Sequence, residues 1–428
     1  MKGLVWFRND LRLHDNEALH LAAQSCEELL CVYCIDPREF DETPYGFTKT
    51  GPYRIQFLLE TLHQLKTALQ SIGGDLLVLT DKPENAIPKL LTEYRIKYLF
   101  FQHQAGTEEA ETVDNINRYC NANQITVNVA QGATLFHSDD IPFSLRSLPN
   151  IFTEFRKTTE KNSRIRPVYV APQSITSIKI DGANNIPTPS DLGFTIPEPD
   201  PRAAILFKGG EDEALKRLKH YVWDTQAIKE YKETRNGLLG MDYSSKFSAW
   251  LALGCISPRT IYWEIKKFEQ DVVANSSTYW LVFELLWRDY FHFVALKYGK
   301  LLFQKGGIKQ QPQEWSTNRA LFENWRTGNT GVAFVDANLR ELLHTGFMSN
   351  RGRQNVASYL VKDLKLDWRM GAAWFEHCLV DYDVASNYGN WNYAAGIGND
   401  PREDRYFNIP TKVAKYDPDG EYVRHWLE

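Results

Sequence analysis

Four short stretches in the second half of this 428-residue chain place polar and charged side chains in apolar surroundings. The first is Tyr243-Ser244-Ser245-Lys246-Phe247-Ser248, just ahead of an apolar run. Hydroxyls and free backbone N–H groups at a helix start, with a lysine beside them, suit phosphate oxygens, and they equally suit an ordinary helix cap. The second is Glu284 and Arg288, four apart on one face of an apolar helix. Charges there need each other or a polar ligand to offset desolvation. In the third, Asn350-Arg351-Gly352-Arg353-Gln354, a helix puts Asn350 and Arg353 on one face and turns Arg351 elsewhere. The fourth is Asp381-Tyr382-Asp383, followed by Asn387 and Trp391. Its two carboxylates could accept from the N–H edge of a heterocycle or from sugar hydroxyls, or form a solvated turn. No His or Cys stands at metal-ligand spacing nearby, so a metal is not indicated. Together these groups describe a site for a large polar-aromatic cofactor with phosphates, without naming it.

The elements that position them fall into two patterns. Apolar runs at Leu4–Phe7, Leu29–Ile35, Leu76–Leu79, Tyr98–Phe101 and Ile125–Val129 alternate with helical patterns at Asn16–Gln24, Pro52–Ser71, Glu84–Tyr94 and Thr107–Cys120. Continuous apolar strands alternating with helices predict a doubly wound parallel sheet over residues 1–130, with ligands held outside the carboxyl ends of its strands. No G-x-G-x-x-G follows the first strand, where Arg8-Asn9-Asp10-Leu11-Arg12 stands instead. Recurrent prolines mark 131–205 as a long linker lying across the surface. From 206 to 428 the pattern is helical, with helices expected at Glu211–Val222, from Ser257-Pro258 to Phe268, and at Thr278–Tyr298, Asp336–His344, Asn350–Leu364 and Met370–Leu379. The fold class expected is an α/β domain joined by the linker to an all-α domain.

Composition narrows the class. With 43 % hydrophobic and 24 % charged residues and no ~20-residue apolar run, the chain reads as globular rather than membrane-spanning. The first strand begins almost at Met1, so no leader is expected, and a cytoplasmic location follows. The net charge of −5 leaves a local basic groove as the only route to nucleic acid. The six cysteines are scattered, as for buried thiols in a reducing compartment. Cys31 and Cys34 spell C-x-x-C, but residues three apart in a strand face opposite ways and cannot share a metal or a disulfide.

The sequence resembles the photolyase–cryptochrome family, specifically its DASH branch, nearly end to end. The matching segments run from Val5-Trp6-Phe7-Arg8-Asn9-Asp10-Leu11-Arg12, through Trp287-Arg288, Val361–Leu364 and Asp367–Arg369, to Tyr416-Asp417-Pro418-Asp419-Gly420-Glu421-Tyr422-Val423. The resemblance implies FAD in the helical half, with Tyr231 and Ser244, Ser245, Lys246, Phe247 and Ser248 at its pyrophosphate. It implies Arg353 and Asp381 paired beside the ring, Asp383 at the isoalloxazine edge and Asn387 at flavin N5, with Arg288 among the cofactor contacts. It also implies an electron relay through Trp391, Trp368 and Trp315, from the ring outward.

The activity implied is light-driven splitting of cyclobutane pyrimidine dimers by electron transfer from reduced FAD. Glu284 and Asn350 would bond the dimer, Trp287 would stack on it, and Arg235, Arg351 and Arg405 would hold flanking phosphates. Gln354 and Tyr393 stand where double-strand photolyases have methionine and tryptophan. Both line the lesion pocket, and the departure points to single-stranded DNA, where flipping the lesion costs less. A 5,10-methenyltetrahydrofolate antenna is expected near Phe47–Arg54 and Glu60 in the α/β half. A blue-light photoreceptor is the second reading and a plain electron-transfer flavoprotein the third. The chain ends at Glu428, close behind its last helical pattern, so no signalling extension is expected. The partner expected is single-stranded DNA carrying pyrimidine dimers, bound by a monomer.

Overall fold

In a computed structural model that describes residues 1–180, 184–402 and 405–428, the five apolar runs pair as one all-parallel sheet. Its strands are β1 (Lys2–Phe7), β2 (Glu28–Ile35), β3 (Leu76–Thr80), β4 (Tyr98–Gln102) and β5 (Thr126–Ala130), in the order β3-β2-β1-β4-β5. Chain order reverses between β1 and β4, the switch point where such sheets open a crevice. Helices α1 (Glu17–Ser25), α2 (Pro52–Ser71), α3 (Pro83–Glu93) and α4 (Thr107–Ala122) connect the strands. The two faces bury separate cores: Cys31 lies in one and Cys34 in the other, and both are free thiols.

Segment 131–205 does more than cross the surface. It carries α5 (Phe152–Asn162), whose Phe152 and Phe155 are buried against the long helix of the second half. The turn after β5 is fastened to that helix by Asp289, whose carboxylate accepts from the backbone N–H groups of Leu135 (2.8 Å) and Phe136 (2.9 Å).

The second half is helical throughout: α6 (Glu211–Lys219), α7 (Tyr231–Thr234), α8 (Ser248–Ala252), α9 (Pro258–Asp271), α10 (Ser276–Tyr298), α11 (Arg319–Arg326), α12 (Ala333–Thr345), α13 (Asn350–Ser358), α14 (Trp368–Cys378), α15 (Val384–Ala395), α16 (Ile409–Tyr416) and α17 (Glu421–Leu427). Local signals explain several starts. Ser257 caps α9, with its hydroxyl accepting from Thr260 N–H and Pro258 in the first turn. Asn275 and Thr278 form a reciprocal capping box on α10. Two expected helices are interrupted. The one from Glu211 widens into a π-turn at His220–Asp224, and the one from Asn350 does so at Tyr359–Asp363. Helices α7, α11, α15, α16 and α17 are not among those expected, each being 12 residues or shorter and so giving a periodic pattern little length in which to show.

Candidate flavin and DNA site

One cavity of about 490 Å³ opens among α7, α8, α10, α13, α14 and α15. Every residue named above for the flavin, the relay or DNA lines it, except Trp368 and Trp315.

One wall is the loop that carries Ser244–Ser248. Lys246 takes a left-handed backbone (φ +54°), which bends the loop sharply ahead of α8. From beneath, Arg217 of α6 holds the loop by its carbonyls, donating to Ser245 O (2.9 Å), Ser244 O (3.1 Å) and Met241 O (3.2 Å) and pairing with Asp242 (2.7 Å). With the carbonyls so engaged, the serine hydroxyls and the lysine are the groups left for a ligand. Lys246 is buried, its Nζ has no hydrogen-bond partner among the described residues, and burial pushes it down to about 7. Tyr243 Oη beside it is likewise unpartnered.

Another part of the lining is built by α13, α14 and α15. Arg353 donates to Asp381 Oδ2 at 2.8 Å and to the Met348 carbonyl at 2.9 Å. The Asp381-Tyr382-Asp383 stretch is no solvated turn. Asp381 is buried, with Oδ1 unpartnered, and Asp383 caps α15 by accepting from Ser386 N–H at 2.7 Å. Asn387 donates its amide to the Ala372 carbonyl at 3.0 Å, so its oxygen is the group left for a ligand N–H. Glu284 and Arg288 do not pair with each other. Arg288 donates to the carbonyls of Ala133 and Leu251, the latter at 3.2 Å, and Glu284 pairs with Arg235. Burial raises the Glu284 carboxyl, opposed by the charges of Arg235 and Arg351.

Asn350, Arg351, Gln354, Trp287, Tyr393 and Arg405 line the same cavity. Arg351 does not point away, as its position on the helix suggested. It lines the cavity, donating to Asn236 Oδ1 and Gln354 Oε1 at 2.7 Å each. Arg405 pairs with Asp400 and donates to Tyr393 Oη at 2.9 Å. Trp287 is stacked from behind by Phe152 of α5, with ring centroids 3.7 Å apart and planes 12° apart, and meets Tyr393 edge-on at 6.2 Å.

The three tryptophans of the expected relay differ in exposure. Trp391 of α15 lines it and is buried, with ring neighbours Phe375 (5.1 Å) and Trp325 (6.3 Å). Trp368 opens α14 and is fully buried, and Trp315 is half-buried.

Sequence reasoning missed Arg217 beneath the loop, Phe152 behind Trp287 and Tyr382 in the wall. The first two act across long stretches of chain, and no local spacing flags them. A second cavity, of about 400 Å³, lies at the carboxyl edge of the sheet and is lined by Trp6, Arg8, Tyr33, Lys49 and Glu109 among others. Of Phe47–Arg54 and Glu60, Lys49 alone lines it. Arg54 lies over the Tyr382 ring (4.6 Å), and Glu60 accepts from Gly209 N–H (2.7 Å).

A doubly wound sheet beside a helical bundle whose cavity gathers serine hydroxyls, a buried lysine and a buried carboxylate is an arrangement suited to a large polar ligand. Residues 3–173 match the family model described as DNA photolyase, and residues 280–428 the one described as the FAD binding domain of DNA photolyase. The chain is 52 % identical over 424 residues to a cryptochrome DASH of Danio rerio, across 98 % of this chain and 82 % of that one. Its structure matches the Synechocystis sp. PCC6803 cryptochrome at TM-score 0.97 and 51 % identity, covering 100 % of this chain and 88 % of that one. A class III photolyase from Agrobacterium tumefaciens matches at TM-score 0.87 and 27 % identity, covering 100 % and 86 %. The chain belongs to the photolyase–cryptochrome family, in its cryptochrome DASH branch. Among the described residues no helix is long and apolar enough to cross a membrane.

Proposed function

We propose that this protein binds single-stranded DNA and splits cyclobutane pyrimidine dimers in blue light. One observation carries the reading: the groups suited to a flipped dimer and those suited to FAD line a single cavity, so lesion and cofactor would share one chamber.

The cavity's chemistry fits FAD. An unpartnered buried Lys246 Nζ, next to serine hydroxyls, suits a pyrophosphate. An unpartnered buried Asp381 Oδ1 suits an N–H or hydroxyl donor. When bound, FAD supplies a light-driven electron that opens the cyclobutane ring and is then returned. The rest of the work falls to the chain. The Asn387 oxygen, left over when its amide donates to Ala372, would accept a ring N–H of the bound cofactor and so favour its reduced form. Glu284, its carboxyl raised by burial and paired with Arg235, offers an acceptor to an N–H of the base edge. Asn350 bonds the base edge, and Trp287, backed by Phe152, presents a fixed face for stacking. Arg351, bonded only to neutral amides, holds a flanking phosphate, Arg235 reaches one only by leaving Glu284, and Arg405, likewise neutralised by Asp400, braces Tyr393. Gln354 and Tyr393 give the lesion pocket a more polar wall, which favours strands that need no unpairing.

A folate antenna in the second cavity completes the reading. It is supported by the position at the switch point, with Tyr33 as a flat wall and Arg8, stacked on Trp6, for a carboxylate, while Lys49 is paired with Glu108. A monomer in the cytoplasm belongs to the same reading, supported by six free cysteines, five of them buried.

The test is direct. Purified protein is irradiated with thymine dimers in single-stranded and duplex oligonucleotides. Repair of the single strand in excess of the duplex is expected, and repair of neither overturns the enzyme reading. Repair of neither, with flavin photoreduction intact, would favour a photoreceptor, for which the three tryptophans are the supporting feature.

A further inference from the structure

The geometry points to Tyr388 and Glu376 as a joint electron and proton trap set beside the middle tryptophan of the relay. Tyr388 lies on α15 and packs its ring against Trp368 with centroids 6.1 Å apart, nearly perpendicular at 82°. On its other side it meets Phe303 at 4.7 Å. Its hydroxyl donates to Glu376 Oε2 at 3.1 Å, from the same helix, α14, that Trp368 begins. The inference rests on the electron-relay reading, in which light leaves an oxidised indole at Trp368.

A phenol gives up an electron readily only when its proton can leave with it, and that needs a base within hydrogen-bond reach, ~2.6–3.2 Å. Glu376 is such a base. Burial raises its carboxyl above the ordinary range, against the opposing charges of Arg54 and Lys49. The step balances. One electron passes from Tyr388 to the Trp368 radical cation, and the hydroxyl proton passes to Glu376 Oε2. Neutral Trp368, a neutral tyrosyl radical and a carboxylic acid remain. A positive indole and a negative carboxylate thereby cancel in low-dielectric surroundings, which favours the products. Return of the electron then needs return of the proton, so charge separation is held longer than an indole alone would hold it.

The test uses time-resolved absorption and electron spin resonance on the purified full chain with FAD bound. A tyrosyl signal should grow as the indole radical decays, and D₂O should slow it. Tyr388→Phe should abolish that signal and lengthen the indole radical's life. Glu376→Gln keeps an acceptor but removes the base, and should cut the tyrosyl yield by about tenfold. Retained FAD absorbance reports that both variants fold. In a second arm, tris(bipyridine)ruthenium(III) prepared by chemical oxidation and mixed in the dark oxidises half-buried Trp315 without exciting the flavin. A Tyr388-dependent signal by this route, but none after flavin excitation, would fail the relay reading and leave the trap standing. An unchanged signal in Tyr388→Phe or in Glu376→Gln, or no tyrosyl signal by either route, overturns it.

Discussion

Trp315 and Trp368 donate their indole N–H groups to the same acceptor, the carbonyl oxygen of Lys305, each at 3.2 Å. One backbone oxygen thus ties a half-buried indole to a fully buried one and fixes their separation. An oxidised indole is a cation with an acidic N–H, and a carbonyl held at that atom favours the charge on either ring. The third ring, Trp391, lies against Gly371 of the helix that Trp368 begins, so all three are referenced to one short stretch of chain.

If this arrangement is the relay, replacing any of the three indoles by Phe should slow flavin photoreduction by about tenfold or more, ~1.4 kcal/mol in barrier, while FAD stays bound. Photoreduction kinetics under steady blue light check this. An unaffected rate in Trp391→Phe would remove the cavity end of the path.

Gly371 gives a sharper test of how Trp391 is held. A Cβ there would meet the Trp391 ring at 2.2 Å, closer than real side chains approach. In an exposed helix Gly→Ala gains ~1 kcal/mol, but overpacking a core costs ~1–3 kcal/mol. Gly371→Ala should therefore lower Tm and disturb photoreduction together. A raised Tm with normal kinetics would show that the ring can give way.

Much of this was legible in the sequence, for reasons that individual residues make clear. The central strands declared themselves because a parallel sheet covered on both faces is apolar at every position, as Leu29–Ile35 is, whereas the edge strand β5 carries Thr126 and Asn128 and is largely uncovered. Glu284, Arg353 and Asp381 stood out because charge in an apolar setting demands a partner. The partners themselves were not legible. Arg288 answers to the carbonyl of Ala133 and Arg217 to a loop 24 to 28 residues further on, and backbone acceptors leave no mark in the sequence. Helix α15 was hidden because its cavity-facing side carries Asn387 and Asn390 where a core helix would carry leucine.

The buried lysine predicts a pH dependence for flavin binding. Lys246 sits near 7, lowered by burial and by Arg217 and Arg353, against Glu341 and Asp242. A bound phosphate favours the charged form and raises it, so binding takes up a proton wherever the free lysine is neutral. Affinity should be flat below pH ~7 and weaken above it by up to ~tenfold per unit until the bound pKa is passed. Lys246→Met should be weaker at low pH and flat throughout, and Lys246→Arg should extend the flat region upward. Titration of flavin-depleted protein by flavin fluorescence reads all three. A flat profile in the unsubstituted protein would separate Lys246 from the phosphates.

Arg351 and Arg405 should behave differently toward DNA. Arg351 is bonded to neutral amides of Asn236 and Gln354 and keeps its charge for a phosphate. Arg405 is neutralised by Asp400. In single strands each phosphate contact adds about 0.7 to the slope of log affinity against log salt. Arg351→Ala should reduce that slope by about this amount, and Arg405→Ala should leave it unchanged while loosening Tyr393. Equal slopes in both variants would show that Arg351 makes no phosphate contact.

The strand preference rests on Gln354 and Tyr393, and the structure adds a condition to testing it. Gln354 Oε1 accepts from Arg351, so Gln354→Met frees that guanidinium as well as making the wall apolar. Tyr393→Trp removes the hydroxyl that Arg405 bonds and enlarges the ring facing Trp287. Extruding a dimer from a duplex costs a few kcal/mol, which stacking in the pocket must offset. Together the two changes should raise the duplex-to-single-strand repair ratio by about tenfold, ~1.4 kcal/mol. Combining them with Arg351→Ala separates the effects. If the gain survives loss of the arginine, the apolar wall sets the preference. If it vanishes, the freed charge was responsible, and discrimination lies in phosphate contacts rather than in the lesion pocket.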